Sequence, residues 1–244
     1  MTWVALGSLS LLCTVALAAG FAVAAWHVMR PAETNLEAAP QESAPAAPVP
    51  DGEFYLVALG DSLTKGTGDA AGELGYPGRV KQALEQRIDE PVFLINYAVE
   101  GYTSAQLLGD LQSGHGDMAA VAKADAVVLT IGGNDLFDVR SALESGISIE
   151  EAEAERDAAL DRIAAIMRRI RELNPRTPIY YIGLYNPFAD IPEVADQAAA
   201  FVEDWNRVLE RRIADDPLMF LIPIYDLFAD NVTRYLSFDH YHPN

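Results

Sequence analysis

The chain has 244 residues, 50% of them hydrophobic, and it carries a formal net charge of −19 at pH 7. This acidic balance argues against nucleic acid as a partner, because phosphate binding needs a basic surface. It argues equally against electrostatic docking on anionic lipids. The one cysteine, Cys13, lies in an apolar N-terminal segment. The sequence therefore excludes an intrachain disulfide, and it excludes a cysteine nucleophile in the folded domain.

Two N-terminal segments precede the domain. Residues 3–29 contain no Asp, Glu, Lys or Arg, and a helix of that length would be roughly 40 Å long, enough to span a bilayer. We therefore expect a membrane anchor over residues 1–30, with secretion after signal-peptide cleavage as the alternative. Residues 31–53 are rich in proline, alanine and acidic residues, which predicts a disordered linker. The charge of Arg30 weakly favours the inside, but such a tether makes most sense with the domain outside the cell.

The remaining residues, 54–244, alternate between short apolar runs and amphipathic stretches. Strands are predicted over 54–59, 92–97, 126–131, 178–183 and 219–224. Helical patterns lie between these runs, and strands that alternate with helices form a parallel sheet covered on both faces. The sequence therefore predicts an α/β domain with three α/β/α layers and a five-stranded parallel sheet.

Capping residues and apolar stripes define the helices between the strands. A helix is predicted over 74–88, a second begins with a capping box at Thr103, and a third begins with a capping box at Ser148. The third helix carries one apolar stripe, made of Leu160, Ile163, Met167 and Ile170. The last long helix carries another, made of Val194, Ala198, Phe201, Trp205 and Val208. We interpret both stripes as hydrophobic core.

Polar residues capable of chemistry follow the ends of the predicted strands. Gly-Asp-Ser at residues 60–62 follows the first strand, Gly101 the second, and Gly-Gly-Asn-Asp at 132–135 the third. The block from Asp239 to His242 lies near the C-terminus. Because the carboxyl ends of parallel strands share one edge of the sheet, we expect these groups to meet there.

Acyl transfer needs a nucleophile, a base, a group that orients the base, and donors for the oxyanion. Ser62 is the candidate nucleophile, His242 the base and Asp239 the orienting group. The backbone amides of Ser62 and Gly101 and the side-chain amide of Asn134 are the candidate oxyanion donors. The bland alternative for Ser62 is a helix cap. His240, adjacent to Asp239, is disfavoured as the base because it does not match the block.

These blocks resemble the four sequence blocks of the GDSL/SGNH hydrolases. Residues 58–66 and 183–188 also resemble the lysophospholipase L1-like branch found in exported or membrane-anchored bacterial esterases. The resemblance implies a flavodoxin-like fold, serine esterase or lipase activity on a lysophospholipid or short acyl ester, and no metal or other cofactor. It implies the roles given above for the five site residues. It also implies a closing helix after His242, so we expect the domain to be truncated or to lack that helix.

Several alternatives remain open. The substrate could be an O-acetylated carbohydrate, and the domain could be a non-catalytic lipid- or sugar-binding module with a relic site. In a metal-dependent phosphohydrolase, Asp61, Asp135 and Asp239 would bind a divalent cation; otherwise the first two brace their turns. Residues Leu136, Phe137, Tyr185 and Phe188 are expected to line an acyl pocket or to pack in the core. No obligate protein partner is evident from the sequence.

Overall fold

The computed structural model describes residues 52–244, except 115–117, 145 and 147. The proposed anchor over residues 1–30 and almost all of the linker over 31–53 lie outside the described residues, so both remain predictions. Within the part of the chain that the structure describes, no helix is both long and apolar enough to cross a membrane.

Five parallel strands form one sheet in the order β2-β1-β3-β4-β5. They are β1 (Phe54–Gly60), β2 (Val92–Asn96), β3 (Ala126–Thr130), β4 (Ile179–Ile182) and β5 (Met219–Ile222). All five predicted strands are confirmed, with ends within two residues of the prediction. The strand order reverses between β1 and β3, and in open parallel sheets ligands bind in the crevice at such a reversal.

Helices cover both faces of this sheet. In chain order they are α1 (Ser62–Lys65), α2 (Gly75–Glu85), α3 (Ser104–Ser113), α4 (Gly133–Glu144), α5 (Ile149–Leu173), α6 (Ala195–Ile213), α7 (Tyr225–Ala229) and α8 (Val232–Tyr235), with a 3₁₀ helix at Met118–Lys123. Helix α2 packs on one face, and α3, α5 and α6 pack on the other. The predicted three-layer arrangement is therefore confirmed.

The main core lies between the sheet and helices α5 and α6. The four stripe residues of α5 are fully buried, as is Trp205 of α6. Gly132, which follows β3, has a φ of +112°, and a Cβ placed there would lie 2.5 Å from the Trp205 ring. Only glycine lets the chain pass this ring closely, so core packing sets the path of the loop that leads to Asn134.

Both predicted capping boxes form and fix where their helices begin. The Thr103 amide donates to Gln106 Oε1 over 2.9 Å at the start of α3. The Ser148 amide donates to Glu151 Oε2 over 2.8 Å, and the Glu151 amide donates back to Ser148 Oγ over 3.2 Å. The first box matters for the site, because the helix that it starts follows Gly101 directly.

Candidate active site

Ser62 lies at the first position of α1, directly after β1. Its neighbour Asp61 is the N-cap of the helix, with Oδ1 accepting the Leu63 amide over 3.1 Å. Gly60 has a φ of +125°, and a Cβ there would lie 1.8 Å from the Thr130 carbonyl oxygen. A glycine is therefore required where β1 runs against β3. The turn presents a nearly buried Ser62 side chain at the carboxyl edge of the sheet, 5% exposed.

A chain of two hydrogen bonds joins Ser62 to the C-terminal block. Ser62 Oγ lies 2.8 Å from His242 Nε2, across 180 residues of sequence. His242 Nδ1 lies 2.6 Å from Asp239 Oδ2. With the ring hydrogen on Nδ1, the imidazole donates to the carboxylate and Nε2 can accept the serine proton. The three residues that the sequence pointed to are thus brought together in the order that proton transfer needs.

The Asp239 carboxylate is held in its ionised form. Partial burial acts to raise its pKa, but hydrogen bonds from the His242 ring and from the His242, Tyr241 and Ser237 donors outweigh burial. The pKa of Asp239 is therefore well below its usual range. An ionised carboxylate next to Nδ1 favours the tautomer described above and would stabilise the ring when it becomes protonated.

The loop that carries His242 is fixed by its own contacts. Leu236 and Pro243 form an antiparallel bridge, and the Ser237 amide donates to the His242 carbonyl over 2.7 Å. The Tyr185 hydroxyl donates to the carbonyl of Tyr241, the residue before the histidine. These contacts orient the imidazole with the residues present, although the resemblance led us to expect a closing helix for that purpose.

The three predicted oxyanion donors lie on loops around the strand reversal. The Ser62 amide begins a helix, where amides have no acceptor within the helix. Asn134 follows β3, and its side-chain NH₂ group uses one hydrogen to donate to the Tyr102 carbonyl over 2.8 Å. Gly101, next to Tyr102, has a φ of +78° and open space around it. The Asn134 amide thus keeps a second hydrogen for a ligand and is tied to the loop that carries Gly101.

A buried polar network, which the sequence did not suggest, supports the turn beneath Ser62. Thr130 Oγ1 donates to Asp61 Oδ1 over 2.6 Å and lies 2.7 Å from Thr64 Oγ1. Asp61 is 2% exposed, and burial raises its pKa above the usual value. Asp61 therefore braces its turn, as expected, and Thr130 was missed because a threonine at the end of a strand looks like any other strand residue.

A cavity of about 390 Å³ opens beside these groups. Its walls include the immediate neighbours of the site residues: Leu63 after Ser62, Gly133 before Asn134, and Tyr241 before His242. The four residues expected in an acyl pocket or in the core, Leu136, Phe137, Tyr185 and Phe188, also line it. No charged side chain of the described residues lies in its wall, so the cavity suits an apolar group.

The interpretation of the α6 stripe as core was partly wrong. Trp205 is fully buried in the core, but Val194, Ala198 and Phe201 line the cavity. Helical periodicity shows which side of a helix faces inward, but it does not show whether side chains or a void lie opposite. These residues and Tyr241 are the cavity residues that sequence reasoning missed.

The remaining predicted residues lie apart from Ser62. His240 is exposed, and its Nδ1 lies 4.0 Å from Asp190. The carboxylates of the metal alternative have separate partners: Thr130 for Asp61, Ser104 for Asp135, and His242 for Asp239. Within the described ranges, no group of three potential ligands could hold a metal ion. The structure gives the phosphohydrolase alternative no support.

A serine paired with an imidazole beside an apolar cavity is an arrangement suited to ester cleavage. Comparison with known proteins agrees: the model of the GDSL-like lipase/acylhydrolase family matches residues 58–244. The chain belongs to this GDSL/SGNH family, and it is a carboxylic ester hydrolase.

Relatives support the same class. The chain is 31% identical over 202 residues to the spore germination lipase LipC of Bacillus licheniformis, covering 78% of this chain and 89% of that protein. It is 33% identical over 196 residues to the uncharacterized protein YpmR of Bacillus subtilis, covering 78% and 75%. The crystal structure of the lipase Lip_vut3 from a goat rumen metagenome superposes with a TM-score of 0.68 at 31% identity, covering 78% and 90%.

Proposed function

We propose that the enzyme is a serine esterase in which Ser62 is the nucleophile, His242 the general base and Asp239 the residue that orients it. The observation that carries the proposal is the hydrogen-bond chain from Ser62 Oγ through His242 to Asp239. Its position at the strand reversal, beside an apolar cavity, supports the same assignment.

The reaction follows from this geometry in two halves. Ser62 Oγ attacks the ester carbonyl carbon while its proton moves to His242 Nε2, and the oxyanion accepts hydrogen bonds from Gly101, Asn134 and the Ser62 amide. The carbon–oxygen bond to the alcohol then breaks, and Nε2 returns the proton to the alcohol. Water attacks the acyl-enzyme, giving its proton to Nε2. The acid leaves and Ser62 recovers its proton.

The substrate that fits best is an ester whose acyl chain enters the cavity. Its volume of about 390 Å³ lies within the range of small-molecule sites, about 300–1,000 Å³. The wall is formed mainly by aliphatic and aromatic side chains such as Leu136, Phe137 and Phe188. A carbohydrate would need more polar partners there, so we favour a lysophospholipid or another acyl ester over an O-acetylated sugar.

The proposal is tested with Ser62→Ala and a panel of p-nitrophenyl esters from acetate to dodecanoate. The parent should react once with an organophosphonate, and Ser62→Ala should neither react nor hydrolyse the esters. Ser113→Ala, at the far end of α3, is the matched control and should keep the activity of the parent. Equal hydrolysis by Ser62→Ala and the parent would refute the assignment of the nucleophile.

The same panel tests the substrate class. Burying one methylene group gives about 0.8 kcal/mol, so kcat/KM should rise by up to about four-fold per added methylene until the cavity is full. A maximum at acetate would instead favour a short-acyl or carbohydrate esterase. A parent that binds the phosphonate nowhere would favour the relic binding module.

We also propose that residues 1–30 anchor the enzyme in the cell membrane, that 31–53 form the linker and that 54–244 form the catalytic domain outside the cell. The uncharged stretch at 3–29 and the proline-rich linker support this arrangement. An enzyme tethered in this way would meet lipid esters at the membrane surface. Secretion after cleavage of the segment is the alternative.

A further inference from the structure

Two adjacent side chains of α4 hold the loop that carries Gly101. Asn134 Nδ2 donates to the Tyr102 carbonyl over 2.8 Å. Asp135, the next residue, accepts the Ser104 amide over 2.8 Å and the Ser104 hydroxyl over 2.6 Å. The loop from Gly101 to Ser104 is thus fastened at two points to the helix that carries Asn134.

Arg162 of α5 completes this arrangement from the opposite side. Its Nε donates to Ser104 Oγ over 2.8 Å, and its Nη2 donates to Asp135 Oδ1 over 3.3 Å. Ser104 is fully buried and Asp135 is 5% exposed, so their polar groups depend on protein partners. We call Ser104, Asp135 and Arg162 the loop clamp. Arg162 is not part of the cavity wall and touches none of the proposed reacting groups.

The location of the loop clamp gives it a consequence for catalysis. The two donors that it connects, the Gly101 amide and Asn134 Nδ2, lie on different loops after different strands. An oxyanion is stabilised only when its donors lie about 2.7–3.1 Å from it, so a relative shift of these loops would weaken one or both bonds. A shift of about 1 Å at a reacting centre can cost about 10² in rate.

We propose that Arg162 is a positioning residue that acts through Ser104 and Asp135 to set the separation of the Gly101 and Asn134 donors. This inference rests on the proposed function, because it assumes that these two groups bind the oxyanion. The competing interpretation is that the loop clamp only stabilises the fold. The two interpretations differ in whether kcat falls in molecules that are fully folded.

Arg171 provides a matched control on the same helix. Its Nε donates to Asp216 Oδ2 over 2.8 Å, and it also donates to the carbonyls of Asn174 and Thr177, beyond the C-terminal end of α5. Arg162→Gln and Arg171→Gln therefore each remove one arginine–aspartate pair from α5. We expect Arg162→Gln to lower kcat by about 10- to 10²-fold with little change in KM, and Arg171→Gln to leave kcat unchanged, with Tm recording the loss of stability in both.

Two further variants separate positioning from folding. Arg162→Lys keeps one donor and should recover part of kcat. Ser104→Ala removes the hydroxyl that links Arg162 to Asp135 but keeps the Ser104 amide, and it should also lower kcat; it replaces Arg162→Gln in the test if that variant does not fold. Equal kcat values for Arg162→Gln, Ser104→Ala and Arg171→Gln would overturn the inference.

Asn134→Ala distinguishes a failure of this inference from a failure of the proposed function. Loss of one oxyanion donor should cost about 10²–10³ in kcat. In the Asn134→Ala background, Arg162→Gln should cost less than in the parent, because the donor that it displaces is already absent. An equal loss in both backgrounds would refute positioning. Full activity of Asn134→Ala alone would instead refute the proposed oxyanion hole.

Discussion

Replacing Asp239 by asparagine tests how the proposed base is oriented, because it keeps the shape of the side chain and changes one oxygen to NH₂. Oδ1 of Asp239 accepts the Tyr241 and His242 amides over 2.9 Å each and the Ser237 hydroxyl over 2.8 Å. Three donors converge on this atom, so the asparagine must place its carbonyl oxygen there. Its NH₂ group then faces His242 Nδ1, where Oδ2 now lies 2.6 Å away.

The NH₂ group can only donate, so Nδ1 must accept and the ring hydrogen must move to Nε2. Nε2 then faces Ser62 Oγ, 2.8 Å away, with a hydrogen in place of a lone pair. The imidazole can no longer take the serine proton. In other Ser-His-Asp triads this tautomer change lowers kcat by about 10⁴, which corresponds to about 5 kcal/mol in the activation barrier. We expect a similar loss in Asp239→Asn.

The assay is kcat for a soluble p-nitrophenyl ester at neutral pH, with folding checked by circular dichroism. Ser237→Ala is the control: it removes one of the three donors to Oδ1 but keeps the carboxylate, so it should stay within about ten-fold of the parent. If folded Asp239→Asn also stays within ten-fold, Asp239 does not set the tautomer and the reasoning is refuted.

Two predictions concern stability and location. The pKa of Asp239 is held below its unfolded value of about 3.9, so its carboxylate stabilises the fold fully above about pH 4 and loses this effect as the pH falls through the folded pKa. The Tm advantage of the parent over Asp239→Asn should therefore shrink between about pH 5 and pH 2, and a constant difference would contradict this. The full-length enzyme should stay in the membrane fraction after alkaline extraction, whereas residues 52–244 alone should not; recovery of a shortened, soluble protein would show cleavage instead.

The strands and the site blocks could be predicted because each depends on local chemistry. Continuous apolar runs predicted strands buried on both faces, and glycines at 60 and 132 marked the points where the chain turns past a close neighbour. The order of the blocks then placed Ser62 and Asn134 after adjacent strands. Two neighbouring strands that end at a reversal of the sheet leave few other positions for a ligand.

The residues that sequence reasoning missed act through contacts between distant segments. Arg162 looks like an ordinary polar position on an amphipathic helix, and its partner Ser104 is 58 residues away. Phe201 continues a core stripe, and only the packing of α6 near α4 shows that a void lies opposite. Helical periodicity carries neither kind of information, since it reports the direction of a side chain and not what it meets.

The two halves of the candidate site are therefore held in different ways. Asp61 and Asp135 are both nearly buried, and they tie the Ser62 turn and the Asn134 loop into the sheet and its helices. Asp239 is partly exposed, and its loop is held by short-range bonds, one bridge and the Tyr185 hydroxyl. A sequence block is sufficient to identify the second kind of support, because its partners lie within a few residues. The first kind depends on the whole fold, which is why the loop clamp becomes visible only in three dimensions.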